Sequence, residues 1–583
     1  MPGSGLPLDP GLREQAEDWL AEDPDPETRA TLTTLLEQAE AAAPTSAAAA
    51  TELASAFAGP LEFGTAGLRG PMGPGPARMN RVVVTRAAAG LARWLTQWRL
   101  TARVLVGHDA RHGSERFARD TAEILAGAGH EVVLLDGPVP TPLVAFGLLN
   151  GERPAHAAVV VTASHNPAAD NGYKVYVGGS QIIPPVDAEI AEAIAHESAE
   201  PLAALPRRAV TPTGPEPLLA AYVARAAAAA PDTDSSVSPV QWVHTAMHGV
   251  GAPLVRRVTA AAGLPEPIEV AAQAEPDPDF PTVPFPNPEE AGAMDLALDL
   301  AAEQGADVVI ANDPDADRCA VAVPGADPHD RAAWRLLTGD ELGLLLGDDA
   351  LRRGVPGVFA ASVVSGSALE RLVRSAGREF VTTLTGFKWI GRVPDLAFGY
   401  EEAIGYCCDP HAVADKDGIT TALRVLQMVA RFKASGRTLT DRLDELAAEH
   451  GLVSTAQVSI RTDDPETISR ALTSLRQTPP TRLLGETVGV TDLADPSRPE
   501  PADATAGLPP TDAVILSGHD FRAVIRPSGT EPKLKIYLET RHDPVPPAEL
   551  HRVRSLEQDR LGLLGHEVTS ILGLREPDRL HEV

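Results

Sequence analysis

Three short stretches hold residue types that do chemistry when a fold brings them together. The first is Thr162-Ala163-Ser164-His165-Asn166-Pro167, entered directly from Ala157-Ala158-Val159-Val160-Val161 and followed by Asn171-Gly172-Tyr173-Lys174. A buried strand running into a small, polar, Pro-stopped loop sets Ser164 at the carboxyl edge of a sheet, where α/β proteins bind ligands. His165 and Lys174 supply nearby donors or bases. Taken alone, the loop is equally a strand-ending turn capped by a serine. Gly-x-Ser-x-Gly is absent, so a hydrolase nucleophile elbow is excluded.

The second stretch, Asp313-Pro314-Asp315-Ala316-Asp317-Arg318, lies between apolar runs at 306–311 and 319–323. Three carboxylates at alternate positions repel one another unless a cation neutralises them. An EF-hand loop also opens on alternate acids, but its sixth position would here be Arg318 and its twelfth Pro324. The pattern fits a three-carboxylate Mg2+ site with an open position for a phosphate oxygen, weighed against a solvated acidic loop.

The third stretch is Arg526-Pro527-Ser528-Gly529-Thr530-Glu531-Pro532-Lys533-Leu534-Lys535, after a strand at 522–525. An arginine, two hydroxyls and a glycine backbone within five residues make a compact phosphate cradle, the other reading being a basic β-turn. The dipeptide Gly-Lys occurs nowhere, which excludes a P-loop. Two weaker stretches complete the set. In Gly64-Thr65-Ala66-Gly67-Leu68-Arg69-Gly70, glycines flank an arginine suited to phosphate. Gly399-Tyr400-Glu401-Glu402-Ala403-Ile404-Gly405, with Asp415-Lys416-Asp417-Gly418, offers paired carboxylates for sugar hydroxyls. Each of these two, alone, is equally structural. Only six of the 50 basic residues are lysines, and Lys174, Lys416, Lys533 and Lys535 lie inside the five stretches. In so arginine-rich a chain, a retained lysine marks a place that needs a compact ammonium.

These loops need strands and helices to hold them. From about 80 to 185, strand-length apolar runs at 103–106, 131–135 and 157–161 alternate with helical stretches, the βαβ rhythm of a parallel or mixed sheet. The rhythm repeats at 238–323 and 334–430, so three blocks of similar size predict a triplicated α/β unit. Residues 10–58 predict two or three surface helices, and the segment from about 455 mixes strands with a Pro/Asp-rich insertion at 490–512.

With 44% apolar residues, the 583-residue chain can bury sizeable cores, about four domains at roughly 150 residues each. Its formal charge of −30 argues against nucleic acid and anionic membrane as partners of the general surface. An anionic substrate therefore requires positive charge gathered in one cleft. Cys319, Cys407 and Cys408 make no disulfide framework for a chain this long. The start, MPGSGLPLDPG, has neither the basic nor the apolar region of a signal peptide, and no apolar run reaches membrane-spanning length. The expectation is a cytoplasmic protein.

Together and in this order, the motifs resemble the α-D-phosphohexomutase superfamily over about residues 60 to 540: GTAGLRG, TASHNP, DPDADR, Gly386-Phe387-Lys388, the sugar loop and RPSGTEP. Pro60-Leu61-Glu62-Phe63, TGFKWIG at 385–391, GYEEAIGY and DKDG look most like the phosphoglucomutase-2-like branch. The resemblance implies three similar mixed-sheet α/β domains plus a smaller C-terminal α+β domain around a central cleft. The expected boundaries are a helical extension at 1–58, domain I with the phosphoserine loop at 59–206, domain II with the metal loop at 207–328, domain III with the sugar loop at 329–453 and domain IV with the phosphate loop at 454–583.

The same resemblance implies roles. Ser164 would carry the transferable phosphate, with His165, Lys174 and Arg69 in the catalysis. Mg2+ would be held by Asp313, Asp315, Asp317 and a phosphate oxygen on Ser164. Thr65, Arg69, Arg111, Arg318, Gly386, Lys388, Glu401, Lys416, Arg526, Ser528, Gly529 and Thr530 would contact substrate. The implied reaction interconverts glucose 1-phosphate and glucose 6-phosphate through a phosphoserine and a bisphosphorylated sugar, with a sugar 1,6-bisphosphate as activator. Many relatives place Ser two residues after the sugar-binding Glu, where Ala403 stands here. Phosphomannomutase and phosphopentomutase activities therefore stay open, as do a non-catalytic sugar-phosphate binder, a metal phosphatase, and a monomer or a dimer.

Overall fold

The computed structural model describes residues 8–41, 45–228, 239–462, 464–495, 497, 508–528 and 533–574. Its first sheet holds β1 (Leu68–Pro71), β2 (Arg103–His108), β3 (Glu131–Leu134), β4 (Ala157–Val161), β5 (Asp170–Val177) and β6 (Ser180–Gln181), in the order β1-β5-β4-β2-β3 with β6 on β5. β3, β2 and β4 run parallel, and β5 returns antiparallel to β4. β4 is buried along its whole length, as its unbroken Ala-Ala-Val-Val-Val requires of a strand covered on both faces.

The second sheet holds β7 (Trp242–Thr245), β8 (Ile268–Glu269), β9 (Val308–Ala311), β10 (Ala320–Val323) and β11 (Arg335–Leu336), in the order β11-β10-β9-β7-β8. Its edge strand β11 lies beyond the boundary expected at residue 328. The third holds β12 (Val358–Ser362), β13 (Phe380–Thr383), β14 (Leu396–Glu401) and β15 (Gly405–Cys407), in the order β13-β12-β14-β15.

The expected triplication is visible in one shared device. In each sheet a parallel strand turns back into an antiparallel partner: β4 into β5, β9 into β10, β14 into β15. Each corner lies at the carboxyl end of the parallel strand and holds a non-glycine residue with left-handed backbone. These are Ser164 at φ 52°, Ala316 at 56° and Ile404 at 50°. A side chain in that region costs about 1–3 kcal/mol, so the surrounding packing must enforce each corner.

The fourth domain is antiparallel. It holds β16 (Leu452–Arg461), β17 (Arg482–Leu483), β18 (Glu486–Thr487), β19 (Gly489–Asp492), β20 (Val514–Ser517), β21 (Phe521–Pro527) and β22 (Lys533–His542). Its main sheet runs β16-β22-β21-β20-β19, and β17 pairs with β18. Alternating residues such as Val458, Phe521 and Ile536 face Leu472 and Leu564 of the helices Pro465–Gln477 and Leu550–Ile571. Glu539 on β22 joins this domain to the third, accepting from Ser367 N at 2.9 Å and Ser367 Oγ at 2.8 Å.

At the other end, helices Pro10–Glu22, Pro26–Glu40 and Ser46–Ala56 pack Ala16, Leu32 and Leu53 on Val82, Ala88 and Ala89 of the helix Arg81–Trp98. Asp9 and Asp25 cap the first two helices, each ahead of a proline at the first helical position. No helix among the described residues is long and apolar enough to cross a membrane.

Candidate active site

The β4–β5 corner and the β9–β10 corner meet face to face. Thr162 Oγ1 accepts from Ser164 N at 2.9 Å, and the left-handed turn aims Ser164 across the domain boundary. Ser164 Oγ donates to Asp313 Oδ2 at 2.8 Å, with His165 Nδ1 3.4 Å away. A carboxylate oxygen from each of Asp313, Asp315 and Asp317 lies within 4.8 Å of the others, and all three residues are fully buried.

Three domains fix these aspartates. Thr141 of the first domain donates to Asp315 Oδ2 at 2.6 Å, and Lys174 Nζ reaches Asp315 Oδ2 at 2.7 Å and Asp317 Oδ2 at 2.8 Å. In the second, Arg318 N donates to Asp313 Oδ1 at 3.0 Å. From the third, Lys416 Nζ stands 3.5 Å from Asp317 Oδ2. The contact between domains is close enough to require a glycine: a Cβ on Gly418 would lie 2.1 Å from the Arg318 carbonyl oxygen.

The electrostatics follow from burial and neighbours. Burial raises the Asp317 carboxyl, but Lys174, Lys416 and Arg318 outweigh it and hold the group below the usual carboxylate range. Asp313 goes the other way, pushed up by burial and then by repulsion from Asp315 and Asp317. Burial opposes the Lys174 charge, yet its two aspartates hold it cationic. Burial, then Arg318 and Arg69, keep His165 well below the usual imidazole range and neutral. Asp315 Oδ1 and Asp317 Oδ1 are buried with no hydrogen-bond partner. Orphaned anionic oxygens are costly, and a hard divalent cation with oxygen ligands is the group that fits them.

The other residues expected to contact substrate are placed as follows. Arg69 on β1 donates to Asn166 Oδ1 at 3.2 Å. Its loop is brought down by Gly67, where a Cβ would lie 1.7 Å from the Tyr173 carbonyl oxygen. Lys388 Nζ donates to Thr65 Oγ1, joining first and third domains, and Gly386 at φ 105° begins the short helix Phe387–Ile390. Glu401 ends β14, its carboxyl raised by burial, 4.0 Å from Lys416 Nζ. Arg318 Nη1 stands 3.8 Å from Glu289. Arg526 on β21 stands opposite Lys535 of β22, and Ser528 N donates to Lys533 O at 2.8 Å, closing the strand ends. Gly529 and Thr530 lie outside the described residues.

Two expectations need correction. Arg111 does not present its terminal donors to the cleft. They point at the backs of Ser164, Asn166, Pro167 and Asp170, bonding their carbonyl oxygens at 2.7, 2.5, 2.7 and 3.2 Å. The paired carboxylates of the third domain are also not all offered to a sugar. Glu402 accepts from Ser362 and Ser365, Asp415 from Tyr176 and Gln181, and Asp417 from Tyr222 while capping the helix Gly418–Ala434. Buried carboxylates take such partners because an unpaired one is expensive, and Glu401 shares Lys416 with Asp415, whose Oδ1 lies 3.8 Å from Nζ.

Thr141, His244 and Asn312 escaped sequence reasoning. His244 Nε2 meets Asn312 Oδ1 at 3.1 Å, and Asn312 Nδ2 donates to Arg318 O at 2.7 Å, closing the base of the loop that carries the three aspartates. A histidine inside the apolar strand Trp242-Val243-His244-Thr245 was the available signal.

The chain matches all four domain models of phosphoglucomutase/phosphomannomutase: α/β/α domain I at 60–201, domain II at 220–325, domain III at 338–450 and the C-terminal domain at 489–553. It is 42% identical to a Haemophilus influenzae protein named "Probable phosphomannomutase", over 79% of this chain and 93% of that one. A mouse phosphopentomutase is 34% identical over 92% of this chain and 91% of its own. The fold is shared with a phosphoglucomutase/phosphomannomutase family protein of Burkholderia thailandensis, at a TM-score of 0.65 and 21% identity, covering 89% of this chain and 98% of that one. With Ser164 and Asp313 meeting between its first two domains and matches to all four domain models, the chain belongs to the α-D-phosphohexomutase superfamily, and is an isomerase of the phosphosugar-mutase kind.

Proposed function

We propose that the chain interconverts glucose 1-phosphate and glucose 6-phosphate by way of phospho-Ser164 and glucose 1,6-bisphosphate, with Mg2+ held by Asp313, Asp315 and Asp317. The observation that supports this most is the 2.8 Å bond from Ser164 Oγ to Asp313 Oδ2 beside two buried aspartate oxygens that take no hydrogen bond. When bound, Mg2+ supplies charge neutralisation to the phosphate oxygens.

The chain's own residues do the rest. Arg69 and Arg318 flank the phosphate as cations, and Lys174 stays protonated between its carboxylates. The neutral His165 offers Nδ1 to the Ser164 hydroxyl proton when the serine takes phosphate back. Glu401 and Lys416 orient the sugar hydroxyls. Arg526 grips the phosphate that is not reacting, so that either end of the bisphosphate can face Ser164 after the sugar turns over.

A second reading, transfer between O1 and O5 of a pentose, is favoured by Ala403, which withdraws a hydroxyl contact from the sugar loop, and by the mouse relative's span. The test is a panel of glucose, mannose, ribose and deoxyribose 1-phosphates, with and without the matching bisphosphate. Highest kcat/KM on glucose 1-phosphate, with glucose 6-phosphate as product and stimulation by the bisphosphate, supports the first reading. A pentose preference, free phosphate as product, or binding without turnover overturns it.

A further inference from the structure

We propose that Phe280 of the second domain and Arg111 of the first form a clamp that sets the Ser164 corner from behind. The inference rests on Ser164 being the phosphate carrier. Arg111 directs four donors at four carbonyls of one hairpin corner, from Ser164 to Asp170. Holding those carbonyls holds the peptide planes between them, and so the left-handed φ of Ser164. The Arg111 side chain is 1% exposed, and its base is fixed by Asp109, which accepts from Arg111 N at 3.0 Å and lies 3.4 Å from Nε.

With its four terminal N–H groups engaged and Nε making only the 3.4 Å ion pair with Asp109, the guanidinium turns its flat faces to its other neighbours. Phe280, 4% exposed, covers one of them with its ring centroid 4.8 Å from Arg111 Cζ. An aromatic face is the partner that a desolvated guanidinium accepts without losing a hydrogen bond. The ring is placed by strained backbone: Phe280 has φ 45°, and His248, at φ 59°, sets its imidazole against it with centroids 6.5 Å apart. Asp277 N donates to His248 O at 3.0 Å, and Phe280 N to Asp277 O at 3.2 Å, so this segment is tied to the body of the second domain. That domain therefore touches the Ser164 corner twice. Asp313 meets it in front and Phe280 stands behind. Phe280 is a positioning residue, acting through Arg111.

The test compares the full chain with Phe280→Leu, Phe280→Tyr, Arg111→Lys and the Phe280→Leu/Arg111→Lys double variant. It reads kcat and KM for glucose 1-phosphate at saturating bisphosphate, with phosphate on Ser164 measured by peptide mapping. Phe280→Leu should lower kcat about tenfold, the size of a desolvated cation–π contact, with KM within about twofold. Phe280→Tyr restores the ring face and should restore kcat to within about threefold. Since both residues act through one contact, the double variant should lose no more than about twofold beyond Arg111→Lys. Wild-type kcat in Phe280→Leu, a rise in KM at constant kcat, failure of Phe280→Tyr to recover, or additive losses would each overturn the clamp. In those cases the wild-type chain still turns over substrate on Ser164, whereas a wild-type chain with no phosphate on Ser164 and no turnover fails the functional reading and takes the clamp with it.

Discussion

At the floor of the cleft the ionic side chains lean on other domains. Ser164 donates to Asp313, Thr141 and Lys174 hold Asp315, and Lys416 closes on Asp317. At the fourth-domain wall Arg526 stands on β21 opposite Lys535 of the neighbouring strand in its own sheet. The floor is braced by three domains and carries strained corners, while the wall is braced by the third and fourth alone, Arg522 donating to Ser365 O and Glu539 accepting from Ser367. Transfer of a phosphoryl group needs its donor, acceptor and charge-neutralising groups placed to within about 0.5 Å. A phosphate that is only held, and that comes from either end of the sugar, needs charge and a fork more than one fixed geometry.

The contrast breaks first at the floor. Ser164→Ala should reduce activity to background and leave no phosphate on the 157–177 peptide by mass mapping; retained activity with phosphate on another serine would sink the assignment. Asp315→Asn removes the anion held by Thr141 and Lys174, and turnover at saturating Mg2+ should fall by about 10^2–10^3-fold, as should wild-type turnover in excess chelator.

At the wall the effect should be smaller and of another kind. Arg526→Ala should lower kcat/KM by about 10–100-fold, through both KM and kcat, as expected for a charge-assisted pair of about 1.5–3 kcal/mol. Phosphate on Ser164 should persist, and Arg526→Lys should recover only part of the loss because it keeps the charge without the fork. Unchanged kinetics in Arg526→Ala would reduce this loop to a structural turn.

Two milder substitutions sharpen the line between the regions. Thr141→Val deletes one bond to Asp315, and the Mg2+ concentration for half-maximal rate should rise about tenfold, at the low end for an orienting partner of a metal ligand. Glu539→Gln weakens the tie to Ser367 and Arg522, and should raise KM a few-fold with kcat nearly intact, since it loosens the wall alone. A kcat loss larger than the KM change would mean that the wall also sets the floor.

Much of this floor was legible because its residues are contiguous. Ser164 follows a buried strand, and the three aspartates alternate within five positions, so local spacing alone brings them together. The triplicated α/β rhythm was legible for the same reason, from strand-length apolar runs. What escaped depends on distant chain. Thr141 reaches Asp315 across 174 positions, and nothing in Pro140-Thr141-Pro142 marks a helix start aimed at another domain's carboxylate. The resemblance alone puts Arg111 among the substrate contacts; only the hairpin's handedness decides that four carbonyls face it from behind. Glu402, Asp415 and Asp417 look like sugar ligands until tertiary contacts supply their hydroxyl and amide partners.

The left-handed corner found in all three α/β sheets also bears on ancestry and redesign. One backbone bend, written three times, carries a serine in the first copy, alanine between aspartates in the second and isoleucine two residues after a glutamate in the third. The bend works as a socket and the side chains around it as interchangeable fittings, so copying and divergence could divide labour without inventing a new turn. On the function proposed above, an engineer wishing to retune sugar choice would exchange the fitting at residues 401–404 and leave the socket, β14 and β15, alone.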